Sequence, residues 1–80
     1  MAIPRKESKH RNTCGPNVRR FRLARKLSQE KLAAKCQLLG WDVSRVTIAT
    51  LEGQNRIVAD FELKFLSVAL RAKLDDLLPS

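Results

Sequence analysis

The nine residues from Ser44 to Glu52, Ser-Arg-Val-Thr-Ile-Ala-Thr-Leu-Glu, constrain this chain more than any other stretch. They read as a short helix with a starter residue, a side for a core and a side kept slim. Ser44 is a preferred N-cap, because its hydroxyl can accept a hydrogen bond from an unpaired first-turn amide. Ile48 and Leu51 stand three apart on one face and Val43 precedes the cap, so all three can point inward. Arg45, Val46, Ala49 and Thr50 then face outward, mostly short side chains with one long cation. A helix so slim on its exposed side fits a groove. Taken alone, the stretch suits an ordinary amphipathic helix of a small bundle equally well.

Charge tips the balance. The 80 residues make one domain, with enough apolar side chains for a single small core, and carry a net charge of +8. Residues 1–56 hold thirteen Lys/Arg against four acids, whereas residues 57–80 hold three against four. The cationic surface therefore belongs to the N-terminal two-thirds, and a polyanion is the partner it fits. A basic surface serving solubility alone accounts less well for that segregation. An acidic membrane surface fits worse still, since no helix pairs a broad apolar face with a purely basic one.

Other function classes find little support. Cys14 and Cys36 match no zinc spacing, the single His10 lies in a loose polar tail, and neither a metal nor a cofactor is expected. Cys36 falls on an apolar helical face, which suits a buried, reduced thiol. The sequence offers no nucleophile–base set and no phosphate-cradling glycine loop, so an enzyme is not expected. With no Tyr and four aromatics in all, there is no stacking platform for single-stranded RNA. No run is apolar enough to span a membrane and no signal-peptide core is present, which predicts a cytoplasmic protein.

Residues 1–13 have no hydrophobic period and read as a flexible basic arm, followed by a folded domain over 14–80. Arg5, Lys6, Lys9 and Arg11 are its candidate contacts with phosphates or a minor groove. Gly15-Pro16 announces a first helix running to about Lys26, with Val18 and Phe21 as core positions and arginines over most of the rest. Ser28 caps a second helix with Leu32, Ala33 and Cys36 as its buried stripe, and Leu38-Leu39 extends it by part of a turn. Gly40-Trp41-Asp42 breaks the pattern before Ser44. Trp41 either caps the core or lies exposed to a partner. After Glu52, Gly53 can adopt a left-handed conformation that closes the helix. Asp60 is the expected N-cap of a fourth helix through Arg71, with Phe61, Leu63, Leu66, Ala69 and Leu70 as apolar positions. Leu74 to Leu78 makes a last short helix, stopped by Pro79. Five short helices with no strand signal predict an all-α bundle.

The ordered set Arg22-x5-Ser28-Gln29-Glu30-x-Leu32-Ala33, Ile48-x2-Leu51-Glu52, Glu62-Leu63, Ala69-Leu70 and Leu74-Asp75-Asp76-Leu77-Leu78 resembles the Cro/phage-repressor (XRE-type) helix-turn-helix family. The resemblance covers about residues 16–78. It implies a compact, lambda-repressor-like five-helix bundle that binds double-stranded DNA, usually as a dimer on a two-fold operator, as a repressor-type transcriptional regulator. It makes Ser44–Glu52 the recognition helix, with Arg45, Val46 and Thr50 at base-contact positions. It places Gln29, Ser44, Thr47, Asn55 and Arg56 at DNA-backbone positions, and pairs Arg22 with Glu52 as a structural ion pair. The family's turn between the two motif helices is tight, whereas here Gln37 to Val43 runs several residues longer.

Two further expectations concern partners. The nearly neutral C-terminal third is the surface left for a homodimer through the last helix, where Leu74, Leu77 and Leu78 either pair two copies or simply close the bundle. The alternative to a DNA-binding regulator is an adaptor or antitoxin-like protein whose main partner is another protein. An exposed apolar patch at Leu38, Leu39 and Trp41 is the feature that would favour it.

Overall fold

A computed structural model describes residues 14–53 and 58–78, and places five helices there in the order the sequence predicts. They are α1 (Gly15–Ala24), α2 (Gln29–Leu38), α3 (Arg45–Glu52), α4 (Asp60–Leu70) and α5 (Leu74–Leu77). The basic arm, Asn55, Arg56 and Pro79 lie outside the described residues, so expectations for them are neither met nor missed.

The helix starts follow local chemistry. Pro16 occupies the first turn of α1, where its missing N–H has no intrahelical partner to lose. Ser28 and Ser44 cap α2 and α3, their hydroxyls accepting from the backbone N–H of Lys31 (3.0 Å) and Thr47 (3.2 Å). The fourth helix departs from expectation. Its N-cap is Ala59, which has no side-chain acceptor, and Asp60 is already its first helical residue. The start is held instead by Glu62, whose carboxylate reaches back to accept the Ala59 N–H at 3.0 Å.

Three helices end the same way. A backbone N–H closes onto the carbonyl five residues earlier: Leu27 onto Arg22, Trp41 onto Cys36 and Ala72 onto Ser67. Each closure needs a left-handed residue just before it, and Lys26 (φ 59°), Gly40 (φ 110°) and Arg71 (φ 55°) supply it. This stops α1 and α4 short of the expected Lys26 and Arg71. It also resolves the long connection before α3, since α2 continues through Leu38 and is closed by Gly40. The chain then reaches Ser44 through a tight turn at Asp42, in which the Val43 N–H donates to the Trp41 carbonyl (2.8 Å), and the Gln37 side-chain amide donates to the Val43 carbonyl (2.7 Å). Gly53 ends α3 with φ −82°, not with the left-handed turn expected of it.

One core joins the five helices. Val18, Leu32, Ala33, Cys36, Val43, Ile48, Leu51, Leu63, Leu66, Ala69, Leu70 and Leu77 are buried together with Cys14 and Val58. Phe21 is only partly buried against this core. Phe61, expected among the apolar positions of α4, is 55% exposed, because its place on the helix lies beyond the face that α1, α2 and α5 cover. In the last helix Leu77 closes the bundle, Leu78 is half-buried, and Leu74 stays partly outside.

Gly15 sets how closely α1 and α3 approach. A Cβ there would lie 2.5 Å from the Leu51 carbonyl oxygen and 3.1 Å from that of Glu52. The start of α1 therefore abuts the end of α3 backbone to backbone, positive helix end to negative.

Candidate nucleic-acid interface

The candidate interface is built on α2 and α3, and its geometry is fixed from beneath by a buried polar network. Arg22 on α1 grips Glu52 at the end of α3 with two parallel bonds, Nε to Oε2 at 2.7 Å and Nη2 to Oε1 at 3.0 Å. Both side chains are more than nine-tenths buried. The remaining Arg22 nitrogen, Nη1, donates to the Leu27 carbonyl at 2.8 Å in the turn between α1 and α2. Gln29, the first residue of α2, adds Nε2 to Glu52 Oε1 at 3.1 Å. One carboxylate thus ties together α1, the start of α2 and the end of α3. A paired, hydrogen-bonded buried charge of this kind fixes geometry more surely than it adds stability.

Above the network, α3 divides cleanly. Ile48, Leu51 and Glu52 are buried, while Arg45 and Val46 are exposed and Thr47, Ala49 and Thr50 are half-exposed. The first turn carries a compact hydroxyl pair, Ser44 Oγ and Thr47 Oγ1 lying 3.2 Å apart. Thr50, half-exposed, donates its hydroxyl to the Val46 carbonyl (2.9 Å), and its oxygen keeps lone pairs that can accept. The outward face of α3 therefore offers one long cation, one branched apolar group and small hydroxyls, with no bulk to keep it from a groove.

The α2 N-terminus lies beside the end of α3, because Gln29 touches Glu52. Its exposed first-turn amides are suited to an anion. The Gln29 carboxamide spends one N–H on Glu52 and keeps its oxygen and second N–H. The structure thus brings Gln29, Arg22 and Glu52 into direct contact, and sets Ser44, Arg45, Val46, Thr47 and Thr50 along the adjoining helix. Asn55 and Arg56 lie outside the described residues.

Three residues with positioning roles carry no signal in the sequence pattern. Gln37 holds the connection before α3, an exposed polar position like many others on a helix. Arg25 donates from Nε to the Leu70 carbonyl (2.7 Å) and from Nη2 to that of Arg71 (3.0 Å), binding α1 to the end of α4. Asn17 donates to the carbonyls of Leu77 and Leu78, both at 3.2 Å, and so anchors α5.

Among the described residues no helix is long and apolar enough to cross a membrane. Cys14 and Cys36 are buried and unbridged. Burial pushes the Cys36 thiol up to about 11, and raises Cys14 as well, against a smaller lowering by a backbone hydrogen bond.

No protein-family model matches the chain, and no curated protein sequence does. Solved structures do match. The restriction-modification controller protein C.AhdI from Aeromonas hydrophila superposes with a TM-score of 0.73 at 27% identity, over 82% of this chain and 92% of that one. The clp gene regulator ClgR from C. glutamicum gives 0.74 at 25% identity, over 84% and 80%. The hypothetical transcription factor NHTF from Neisseria gives 0.74 at 25% identity, over 99% and 85%. With five helices around one core, and two of them locked end to start beneath a slim exposed face, the chain shares the compact, lambda-repressor-like helix-turn-helix fold of these structures, which are XRE-type regulators.

Proposed function

We propose that this protein is a sequence-specific, double-stranded DNA-binding transcriptional regulator that presents α3 to the major groove. The observation that carries this reading is the division of α3, a slim exposed face on a helix whose end is clamped to α1 and α2 by the Arg22–Glu52–Gln29 network. Such a helix can enter a groove without changing its angle to the helix that rests on the backbone. The cationic N-terminal two-thirds of the chain supplies the attraction to phosphate.

Within this reading Arg45 binds a guanine through its planar fork, Val46 packs on a thymine methyl, and Thr50 accepts from a base edge. Gln29, Ser44, Thr47, Asn55 and Arg56 hold the DNA backbone, and Arg5, Lys6, Lys9 and Arg11 add charge from the arm. Two copies on a two-fold site give the length of DNA that one short helix cannot read, and α5 with its outward Leu74 is the contact between them. A second reading, an adaptor or antitoxin-like protein with DNA contact secondary, draws on Leu38 and Leu39, which are both exposed. Trp41 does not add to it directly, being half-buried against Phe61 and Phe65.

Selection of bound duplexes from a random pool tests the proposal. A preferred site is expected, and Arg45→Ala is then expected to relax choice at one or two base pairs, at a cost of about 1–3 kcal/mol against the preferred base. Gln29→Ala is expected to weaken all duplexes alike, because a phosphate contact positions without specifying. The same sequence-independent loss from both substitutions would remove α3 from the role of reader.

A further inference from the structure

Two shallow hollows meet where the second half of α2 faces the end of α4. One, of about 210 Å³, is walled by Leu38, Leu39 and Val68, and the other, of about 280 Å³, lies on the side of Arg25; Lys35 and Arg71 line both. Together they form one groove, apolar at one end and cationic at the other. Leu38 and Val68 are 88% and 61% exposed, so the apolar end is open to a partner. No carboxylate lines either hollow. Arg25, Lys35 and Arg71 are all exposed, and none is in an ion pair among the described residues.

Arg25 is the fixed point of the cationic end. Its Nε and Nη2 donate to the Leu70 and Arg71 carbonyls, which holds the guanidinium still and leaves Nη1 without a partner among the described residues. Two further carbonyls at this end of α4 are occupied as well, Val68 by the Arg71 N–H and Ser67 by the Ala72 N–H. The negative end of the helix is therefore covered, and the groove keeps its positive charge. Neither hollow is an enclosed cavity, so a small ligand would leave much of its surface in water, whereas a peptide can set a side chain in each and lay its backbone across the rim. A phosphate backbone would meet the cations and leave Leu38 and Val68 bare. We propose that this groove docks an acidic segment of another protein, with an apolar anchor on Leu38, Leu39 and Val68 and carboxylates at Arg25, Lys35 and Arg71. It goes beyond the DNA reading, and gives the exposed Leu38 and Leu39 a partner of stated charge without making DNA contact secondary.

The full chain, without DNA, is used to select binders from a random library of displayed short peptides. Sequences that set Asp or Glu beside Leu, Ile or Phe are expected to be enriched. A selected peptide is then synthesised with a fluorescent label and titrated by anisotropy at physiological salt, against variants whose folding circular dichroism checks. Leu38→Lys is expected to weaken its binding about tenfold or more, and so are Lys35→Glu and Arg71→Glu. The same peptide with its acids replaced by lysine is expected to prefer the Lys35→Glu, Arg71→Glu double variant to the parent chain. Arg19→Glu removes the same charge from an exposed position on α1 and is expected to change binding by no more than about twofold, since a distant surface charge is screened. Enrichment of basic or uncharged peptides, or no enrichment at all, would overturn the proposal. An equal loss from Arg19→Glu would also do so, by showing attraction to the basic surface at large. Loss on charge reversal with none from Leu38→Lys would overturn it in favour of a phosphate-bearing polyanion. None of these results depends on whether α3 reads DNA.

Discussion

At the scale of single residues, the molecule rests on one buried carboxylate. Glu52 accepts from Arg22 twice and from Gln29 once, so removing the cation leaves a charge in the core with one neutral donor. Arg22→Met is expected to cost about 3–5 kcal/mol in urea unfolding, and pairing it with Glu52→Leu to recover most of that loss. The recovered variant is expected to bind DNA more weakly, since stability returns and the fixed angle between α2 and α3 does not. The thiols add a pH dependence of defined sign. Cys36 titrates near 11 in the folded chain against 9.0 for an ordinary thiol, so between those values the folded state holds the proton and the unfolded state releases it. Stability is therefore intact below about pH 9 and falls as pH rises toward 11, by on the order of 2–3 kcal/mol from this group. Comparing Cys36→Ala with the parent at pH 7.5 and 10.5 isolates that slope from the deprotonation of lysines.

At the scale of helices, what the sequence discloses depends on whether the cause is local. Ser28 and Ser44 cap their helices by touching amides three residues on, so their role is written in the residue type. Ala59 carries no such group, and the carboxylate that serves the α4 start, Glu62, is just as local, three residues on; the neighbouring Asp60 hid it by offering a cap-type residue one position later. Phe61 is apolar and correctly spaced, yet periodicity does not say how wide a face the neighbouring helices cover. The same gap hides Gln37, Arg25 and Asn17, whose partners are carbonyls brought near by the fold. Among the site residues, the contact of Arg22 with Glu52 spans 30 positions and followed from family resemblance rather than from any local pattern. The helix endings yield a paired prediction. Gly40 has open space around its Cα but a φ of 110°, so Gly40→Ala is expected to cost about 1–3 kcal/mol through the backbone alone. Lys26 holds the same closing position on α1 with a side chain that disfavours it, and Lys26→Gly is expected to gain up to about 1 kcal/mol. Gly15→Ala is expected to be destabilising for the opposite reason, a collision with the Leu51 carbonyl and not a strained φ. Thermal melts of the three variants separate space from conformation.

At the scale of the whole molecule, charge and apolar surface are divided between functions. The cations crowd the N-terminal two-thirds, where the arm, α1, α2 and α3 lie, while the C-terminal third is close to neutral and carries Phe61, Phe65 and Val68 on α4. Two copies joined through that neutral third, as proposed, would keep their basic surfaces apart and each open to phosphate. If the basic surface is what binds, affinity must fall steeply with salt, because every phosphate neutralised releases a counterion. The slope of log K against log salt is expected to correspond to several neutralised phosphates per copy. Removing residues 1–13 takes away four of the sixteen Lys/Arg and one acid, so it is expected to make the slope shallower and to lower affinity for all duplexes in parallel. Fluorescence anisotropy of full-length and shortened chains, each on a selected and a scrambled duplex over a range of salt, reads both quantities at once. A parallel loss assigns the arm to the sequence-independent attraction. A loss confined to the selected duplex would mean that the arm reads a groove, and a flat salt response in the full chain would leave the basic surface without phosphate contacts to make.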